Sequence, residues 1–210
     1  LGDYKSAIKN TENALKNFKA GLINELTTLE VLFLSCYYDK NWERAHNILE
    51  RALNHPKLNS NAFLPAKWHY YKTNLLFKER KYEESTLALN DCSELLNDRT
   101  GWLYGYKIMD ILLAFENGTE FLIDSKVANY KKILRKQNGA SMERPKVILK
   151  ILETLIRKHY NFKETAKIQK NLLQLLDEKN TNYTWEPMGY ELIPFNEWFE
   201  SKLTRRAAAK

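Results

Sequence analysis

Two cysteines, five prolines and seven glycines are all that 210 residues contain of these types, and no apolar run reaches the roughly 18 residues of a membrane span. So few thiols exclude a disulfide-stapled fold. Cys36 sits in the apolar stretch Leu32-Phe33-Leu34-Ser35-Cys36-Tyr37-Tyr38, and Cys92 in a similar helical context, so both read as buried free thiols. Little glycine and proline, against abundant Leu, Ile, Lys, Glu and Asn, argues for helices over strands. The start of the chain shows no n-region, h-region and cleavage site, so a soluble, cytoplasmic protein without membrane contact is expected.

The residues of catalysis are scarce as well. There is no C-x-x-C, no H-E-x-x-H and no phosphate-cradling glycine loop. Glu43-Arg44-Ala45-His46 has the Glu-x-x-His spacing that di-iron bundles use twice, but no second copy exists, and it reads as a surface coincidence. His69 among Trp68, Tyr70 and Tyr71, and His159 beside Tyr160, read as packed or partly exposed histidines, while His55 stands alone in a loop. The expectation is a protein with no enzymatic activity, no cofactor and no metal site.

What the chain has is a core and a repeat. At 44% apolar and 12% aromatic residues, one or two packed domains are accessible. One phrase recurs: Gly2-Asp3-Tyr4-Lys5-Ser6-Ala7 with Ala14-Leu15, Asn41-Trp42-Glu43-Arg44-Ala45 with Ala52-Leu53, and Lys81-Tyr82-Glu83-Glu84-Ser85 with Cys92. Each aromatic is followed by a small residue three places on and another ten places on. Those positions lie on nearly one helix face and let a neighbouring helix approach closely.

This phrase resembles the second helix of the tetratricopeptide repeat, carried by Tyr4, Ala7, Ala14 and Trp42, Ala45, Ala52, with Tyr82, Ser85, Cys92 as small-residue substitutes. The aromatics are spaced 38 and 40 residues apart, longer than the standard repeat of about 34 and near the 40 to 47 of HEAT or armadillo repeats. The excess falls in loops such as His55-Pro56-Lys57-Leu58-Asn59-Ser60-Asn61, which points to long-loop tetratricopeptide-like hairpins, with HEAT-like hairpins as the alternative. The resemblance implies an all-α, right-handed α-solenoid of stacked antiparallel hairpins.

Periodicity places an orphan second helix over 3–19, then pairs from Ile23 to Tyr38 with Trp42 to Leu53, Pro65 to Glu79 with Tyr82 to Leu96, Trp102 to Glu116 with Glu120 to Arg135, and Arg144 to Lys158 with Phe162 to Leu176. The third pair is degenerate: 40 residues after Tyr82 stands Leu122, and Lys132 is ten further on. Gln137 to Ser141 reads as a loop. Because a lone second helix cannot bury its apolar face, the chain reads as a fragment preceded by further repeats. The repeats thus occupy 1–179, an aromatic C-terminal cap 180–203, and a tail 204–210. In the cap Tyr183, Trp185, Tyr190, Phe195, Trp198 and Phe199 cover the last hairpin, with Asn196 as a helix N-cap and a partner-binding aromatic patch as the alternative.

Charge is uneven. Of the formal net charge of +7, residues 126–170 contribute +10, from 13 Lys or Arg against Glu143, Glu153 and Glu164. Such a run is either a solvated face or a surface for anions. Tyr130, Tyr160 and Phe162 are the only aromatics among these bases, which gives single-stranded nucleic acid little to stack on and favours an acidic protein or peptide partner over RNA or DNA.

If the resemblance holds, first helices line a concave groove at positions about 4, 5, 8 and 12 before the second-helix aromatic. The groove then includes Tyr37, Tyr38, Tyr70, Asn74, Lys78, Lys150, Thr154, Arg157 and Lys158, aromatic at one end and basic at the other, with inter-helix packing as the alternative for Tyr37, Tyr38 and Tyr70. Asn74 with Lys78 resembles part of a carboxylate clamp, but the matching positions hold Glu30 and Leu34, so binding of chaperone tails is not implied. The reading is a non-enzymatic scaffold that binds a protein or peptide segment. Its alternatives are a sensory or regulatory repeat domain of a larger transcription-associated protein and direct nucleic-acid contact through 126–170.

Overall fold

The computed structural model describes residues 2–17, 21–98, 101–136, 143–179, 181–187 and 189–205. The expected loop at 137–141, residues 99 and 100 of the turn before Trp102, and tail residues 206–210 lie outside them. Among the described residues the protein is all-α, with no strand. Its helices are α1 Tyr4–Asn17, α2 Ile23–Tyr38, α3 Trp42–Leu53, α4 Phe63–Lys78, α5 Tyr82–Asn90, α6 Trp102–Glu116, α7 Glu120–Arg135, α8 Glu143–Arg157, α9 Phe162–Ile168, α10 Lys170–Asp177 and α11 Phe195–Arg205. None is long and apolar enough to cross a membrane. The chain divides into two compact units, Leu1–Tyr106 and Lys107–Lys210, with the boundary inside α6.

The same turn is built four times. The backbone N–H of Asn41 donates to Cys36 O at 2.9 Å, that of Lys81 to Leu76 O at 3.0 Å, Thr119 to Ala114 O at 3.0 Å and Tyr160 to Leu155 O at 2.8 Å. Inside each, one residue takes a left-handed conformation: Lys40 (φ 61°), Arg80 (φ 63°), Gly118 (φ 68°) and His159 (φ 48°). This is the six-to-one closure by which a helix end satisfies its last carbonyls. Only the third turn uses glycine; in the others an L-residue accepts a cost of roughly 1–2 kcal/mol. The fourth turn carries one extra left-handed residue, Tyr160 (φ 58°), before α9 begins.

These turns fix a register that corrects the sequence count. Trp42, Tyr82 and Phe162 are the first residues of α3, α5 and α9, but the equivalent residue of α7 is Glu120, not Leu122. The positions that are small elsewhere are then Ile123 and Tyr130, both fully buried. The phrase fades in α7 because large side chains occupy the close-contact face. Where the phrase holds, Ala45, Ala52, Ser85, Cys92 and Thr165 are buried, and Asp3, Asn41 and Asn161 cap their helices by accepting from Ser6, Arg44 and Glu164 N–H at 3.0, 3.3 and 3.1 Å.

Two helices end differently from the periodicity. The turn of helix expected to reach Leu96 stops at Asn90 and continues as a 3-10 turn over Ser93–Asn97. The helix expected from Phe162 to Leu176 is broken at Gln169 (φ −103°, ψ 23°), whose side chain donates to Thr154 Oγ1 at 2.7 Å.

In the first unit, α1 packs on α2, α2 on α3, α3 on α4 and α4 on α5. Its interior is aromatic: Phe33 lies 5.2 Å from Tyr71 and 5.9 Å from Trp68, and Tyr71 is 5.3 Å from Trp68. In the second unit α7 packs on α8, α8 on α9 and α10, and α9 on α11. Phe195, Trp198 and Phe199 are buried; Trp198 lies 5.4 Å from Phe115 and Phe199 5.1 Å from Phe162. The C-terminal aromatics of α11 are therefore core. Asn196 is not an N-cap but lies within the first turn of α11, where Glu191 Oε1 takes the Phe195 N–H at 2.6 Å.

Candidate partner-binding surface

The groove positions separate into interior and surface. Tyr37, Tyr70, Asn74 and Thr154 are buried, which moves four of the nine residues from the proposed surface into the helix packing. Tyr37 lies 6.0 Å from Phe33 and 5.8 Å from Trp42, and Tyr70 lies 5.9 Å from Trp102. Asn74 spends its amide on Tyr70 O at 2.8 Å. A peptide could touch none of them without repacking a dense interior. The physical reason is that α2 and α4 are covered on more than one face: residues 32–37 are all buried, as are 73–77, and a helix apolar nearly all round is an interior helix.

The rest divide between the units. In the first, Tyr38 is half-buried and stacks 5.6 Å from Tyr4, while Lys78 is exposed. In the second, Lys150 and Arg157 are exposed and Lys158 pairs with Glu164 at 2.6 Å. Thr154 is a junction, donating to Lys150 O at 3.0 Å and accepting from Arg157 Nη2 at 2.9 Å as well as from Gln169. Its hydroxyl is fully engaged by the protein itself.

Several polar groups prove to be architectural. His46 bonds Glu79 at 2.7 Å, with Lys81 3.0 Å away on the other side; burial opposes ionisation of Glu79, yet these two bonds hold its carboxyl below the ordinary range. His55 is not a loose loop residue: it is buried, accepts the Lys57 N–H at 3.1 Å through Nδ1 and lies 3.4 Å from Glu25. His69 is 3.6 Å from Asp91, and burial pushes its pKa down. Burial raises Cys36 to about 11 and Cys92 to about 12, so neither supplies thiolate at neutral pH. Among the described residues no group of three His, Cys, Asp or Glu is placed to hold a metal ion.

The basic stretch also resolves into tied and untied charges. Lys126 meets Asp110 at 2.6 Å, Lys131 meets Glu153 at 2.5 Å, and Arg144 is buried against Glu191. Lys132, Arg135 and Lys136, at the end of α7, form no ion pair among the described residues. With Ala128 and Lys131 they line an open hollow of about 440 Å³. At the other end of the same helix Phe121 is 81% exposed. Sequence reasoning passed over Phe121 because it followed the repeat phrase, which is absent from α7. A count of periodicity on that helix alone finds two stripes: 123, 127, 130 and 134, which are buried, and 121, 125, 128, 132 and 135, which are exposed.

Comparison with protein-family models, with curated proteins and with solved structures finds no match for this chain.

Proposed function

We propose that this protein is a non-enzymatic interaction domain in which tetratricopeptide-like hairpins stack into a right-handed solenoid and present a surface to a protein or peptide segment. The reading rests above all on the four turns of one construction, each followed by a helix that begins 38 to 42 residues after the last. Helical hairpins repeated at such a period bury their faces on one another and leave extended surfaces for partners. Among the described residues the two thiols are buried and His46, His55 and His69 each lie beside a carboxylate, which supports a structural use of these groups over a catalytic one. The positive excess of the second unit favours an acidic partner, since complementary charge raises encounter and suppresses wrong pairings.

The test is affinity capture on the intact chain, with and without nuclease, comparing wild type with a Lys78→Glu/Lys150→Glu/Arg157→Glu variant. These three side chains are exposed, so the variant is expected to fold. A nuclease-resistant protein captured by wild type supports the interaction reading, and its loss in the variant places the partner on these positions. Capture that disappears with nuclease would replace the reading with nucleic-acid association. An elongated scattering envelope is the result expected of a solenoid.

A further inference from the structure

The outer face of α7 is an unusual surface for a helix that is otherwise well packed. Its inward stripe, Ile123, Val127, Tyr130 and Leu134, is buried. Its outward stripe, Phe121, Ser125, Ala128, Lys132 and Arg135, recurs at steps of four and three residues and is exposed throughout. That order is apolar, small, small, cationic, cationic. We propose that this stripe is a docking site for an acidic amphipathic helix of a partner protein, with an apolar side chain of the partner covering Phe121 and its carboxylates meeting Lys132, Arg135 and Lys136.

Each part of the stripe has a use in that arrangement. Small residues at 125 and 128 let a second helix backbone approach, and steps of four and three are the seam on which helices pair. Covering a phenylalanine removes apolar surface from water, a gain that an aromatic left 81% exposed has not made. At the other end Lys132, Arg135 and Lys136 lie around the hollow without an acidic partner among the described residues, whereas Lys131 is already engaged by Glu153. Cations near a helix C-terminus do complement its dipole. That accounts for a base or two there and leaves Phe121 unexplained.

Charge complementarity selects the occupant. A second copy of this chain docked in parallel would bring like cations together, and docked antiparallel it would set Glu120 and Asp124 against Lys132 and Arg135 but leave Phe121 facing Arg135 instead of an apolar side chain. A phosphate backbone would suit the basic end but not the other, where the Glu120 and Asp124 carboxylates flank Phe121; Asp124 is held there by Tyr160 Oη at 2.8 Å. A partner helix with an apolar end and an acidic end matches both. The site lies on a second helix, outside the first-helix groove that the repeat resemblance implies.

The inference rests on the interaction reading above, and the two fail separately. Anisotropy titrations on the intact chain would use three labelled probes: a designed helical peptide of Glu and Leu at heptad spacing, its Lys and Leu counterpart, and a short oligothymidylate. The Glu/Leu peptide is expected to bind most tightly. Lys132→Glu/Arg135→Glu should weaken it by about ten-fold or more, and Phe121→Ala and Ala128→Trp by about three- to ten-fold each. The control Lys163→Glu/Lys167→Glu, an equal charge change at exposed positions of α9, should alter it by less than about two-fold. Equal loss in the control, preferential binding of oligothymidylate, or no preference for the Glu/Leu peptide would each overturn the α7 site. If a captured protein partner is retained by the α7 variants, the interaction reading survives and only this site is lost.

Discussion

Glu25 in the first unit and Glu191 in the second are both nearly covered and both bound by an arginine, yet the two pairs are built to different depths. In the first, Glu25 is nearly covered, but the Arg51 that binds it is 52% exposed; Glu25 also takes the Gly21 N–H at 2.5 Å and has buried His55 at 3.4 Å. In the second, Arg144 and Glu191 are both only 6% exposed. Arg144 donates to Glu191 twice, at 2.7 and 2.9 Å, and to Leu176 O, Tyr183 O and Asn196 Oδ1 at 3.0, 2.9 and 2.9 Å. One centre joins α2 to α3 and keeps a wet side. The other is dry and fastens the 176–196 segment onto α8, so that Glu191 can start α11 and bring its aromatics into the core. A dry pair gains little over apolar packing while intact, and breaking it leaves an unpaired buried charge.

That difference makes Arg144→Ala the most damaging change. Removing the guanidinium strands Glu191 and three further acceptors, and a loss of about 3–5 kcal/mol is expected in urea unfolding. Hydrogen exchange should accelerate first over 176–199. An Arg144→Met/Glu191→Leu double substitution should recover much of the loss, because no charge is then left buried. If Arg144→Ala costs no more than breaking the first centre, depth does not separate the two.

The first centre is broken by Glu25→Gln, with an expected loss of about 1.5–3 kcal/mol at neutral pH for a hydrogen bond to a charged group. The Arg51 bond, then the Gly21 N–H, hold the Glu25 carboxyl below its ordinary value of 4.5. A depressed folded-state pKa gives stability that is complete above the unfolded value and vanishes as pH falls through the folded one. The gap between wild type and Glu25→Gln should therefore be constant above about pH 5 and close below pH 4.5. A gap that persists in acid would assign the loss to packing.

The interior of the first unit offers a smaller test. Tyr71 Oη donates to Glu30 at 2.6 Å, and Glu30 keeps Lys67 at 2.6 Å as a second partner. Burial and the adjacent carboxylate raise the Tyr71 pKa well above 10, so its stabilisation is present below pH 10 and is lost as pH rises beyond. Tyr71→Phe should cost about 1–2 kcal/mol at neutral pH and reduce the alkaline loss of stability. An unchanged alkaline limb would show that Tyr71 is not the titrating group.

Much of the fold was legible because the local signals agreed. The bounds of α2, α6 and α7 follow from periodicity and flanking turn residues, and the repeat phrase falls on helix starts at Tyr4, Trp42 and Tyr82. Long-range pairings left no such trace. Arg144 and Glu191 are 47 residues apart, and nothing periodic joins them. Tyr37, Tyr70, Asn74 and Thr154, expected along the groove, are buried, and the amphipathic character of tyrosine does not by itself tell a groove from helix packing. The unbroken apolar runs around them were the better signal, since such runs mark helices covered on several sides.

The turns give the finest comparison, within and between units. Gly118 stands where Lys40, Arg80 and His159 stand in the other three, and a Cβ built on it meets nothing within 4 Å. Any cost of Gly118→Ala is thus a backbone cost, about 1–2 kcal/mol for a left-handed L-residue, offset by about 0.5–1 kcal/mol through the lost freedom of the unfolded chain. The reverse changes, Lys40→Gly and Arg80→Gly, relieve that strain but add freedom to the unfolded chain by about 0.5–1 kcal/mol, leaving a net gain of about 0.5 kcal/mol. Both side chains are exposed, so no burial is lost with them. Thermal melts of the three variants should move down for Gly118→Ala and slightly up for the other two. A downward shift for Lys40→Gly or Arg80→Gly would mean that these turns are held by their side chains as well as by the repeated backbone closure. The four turns would then be alike in geometry without being alike in cause.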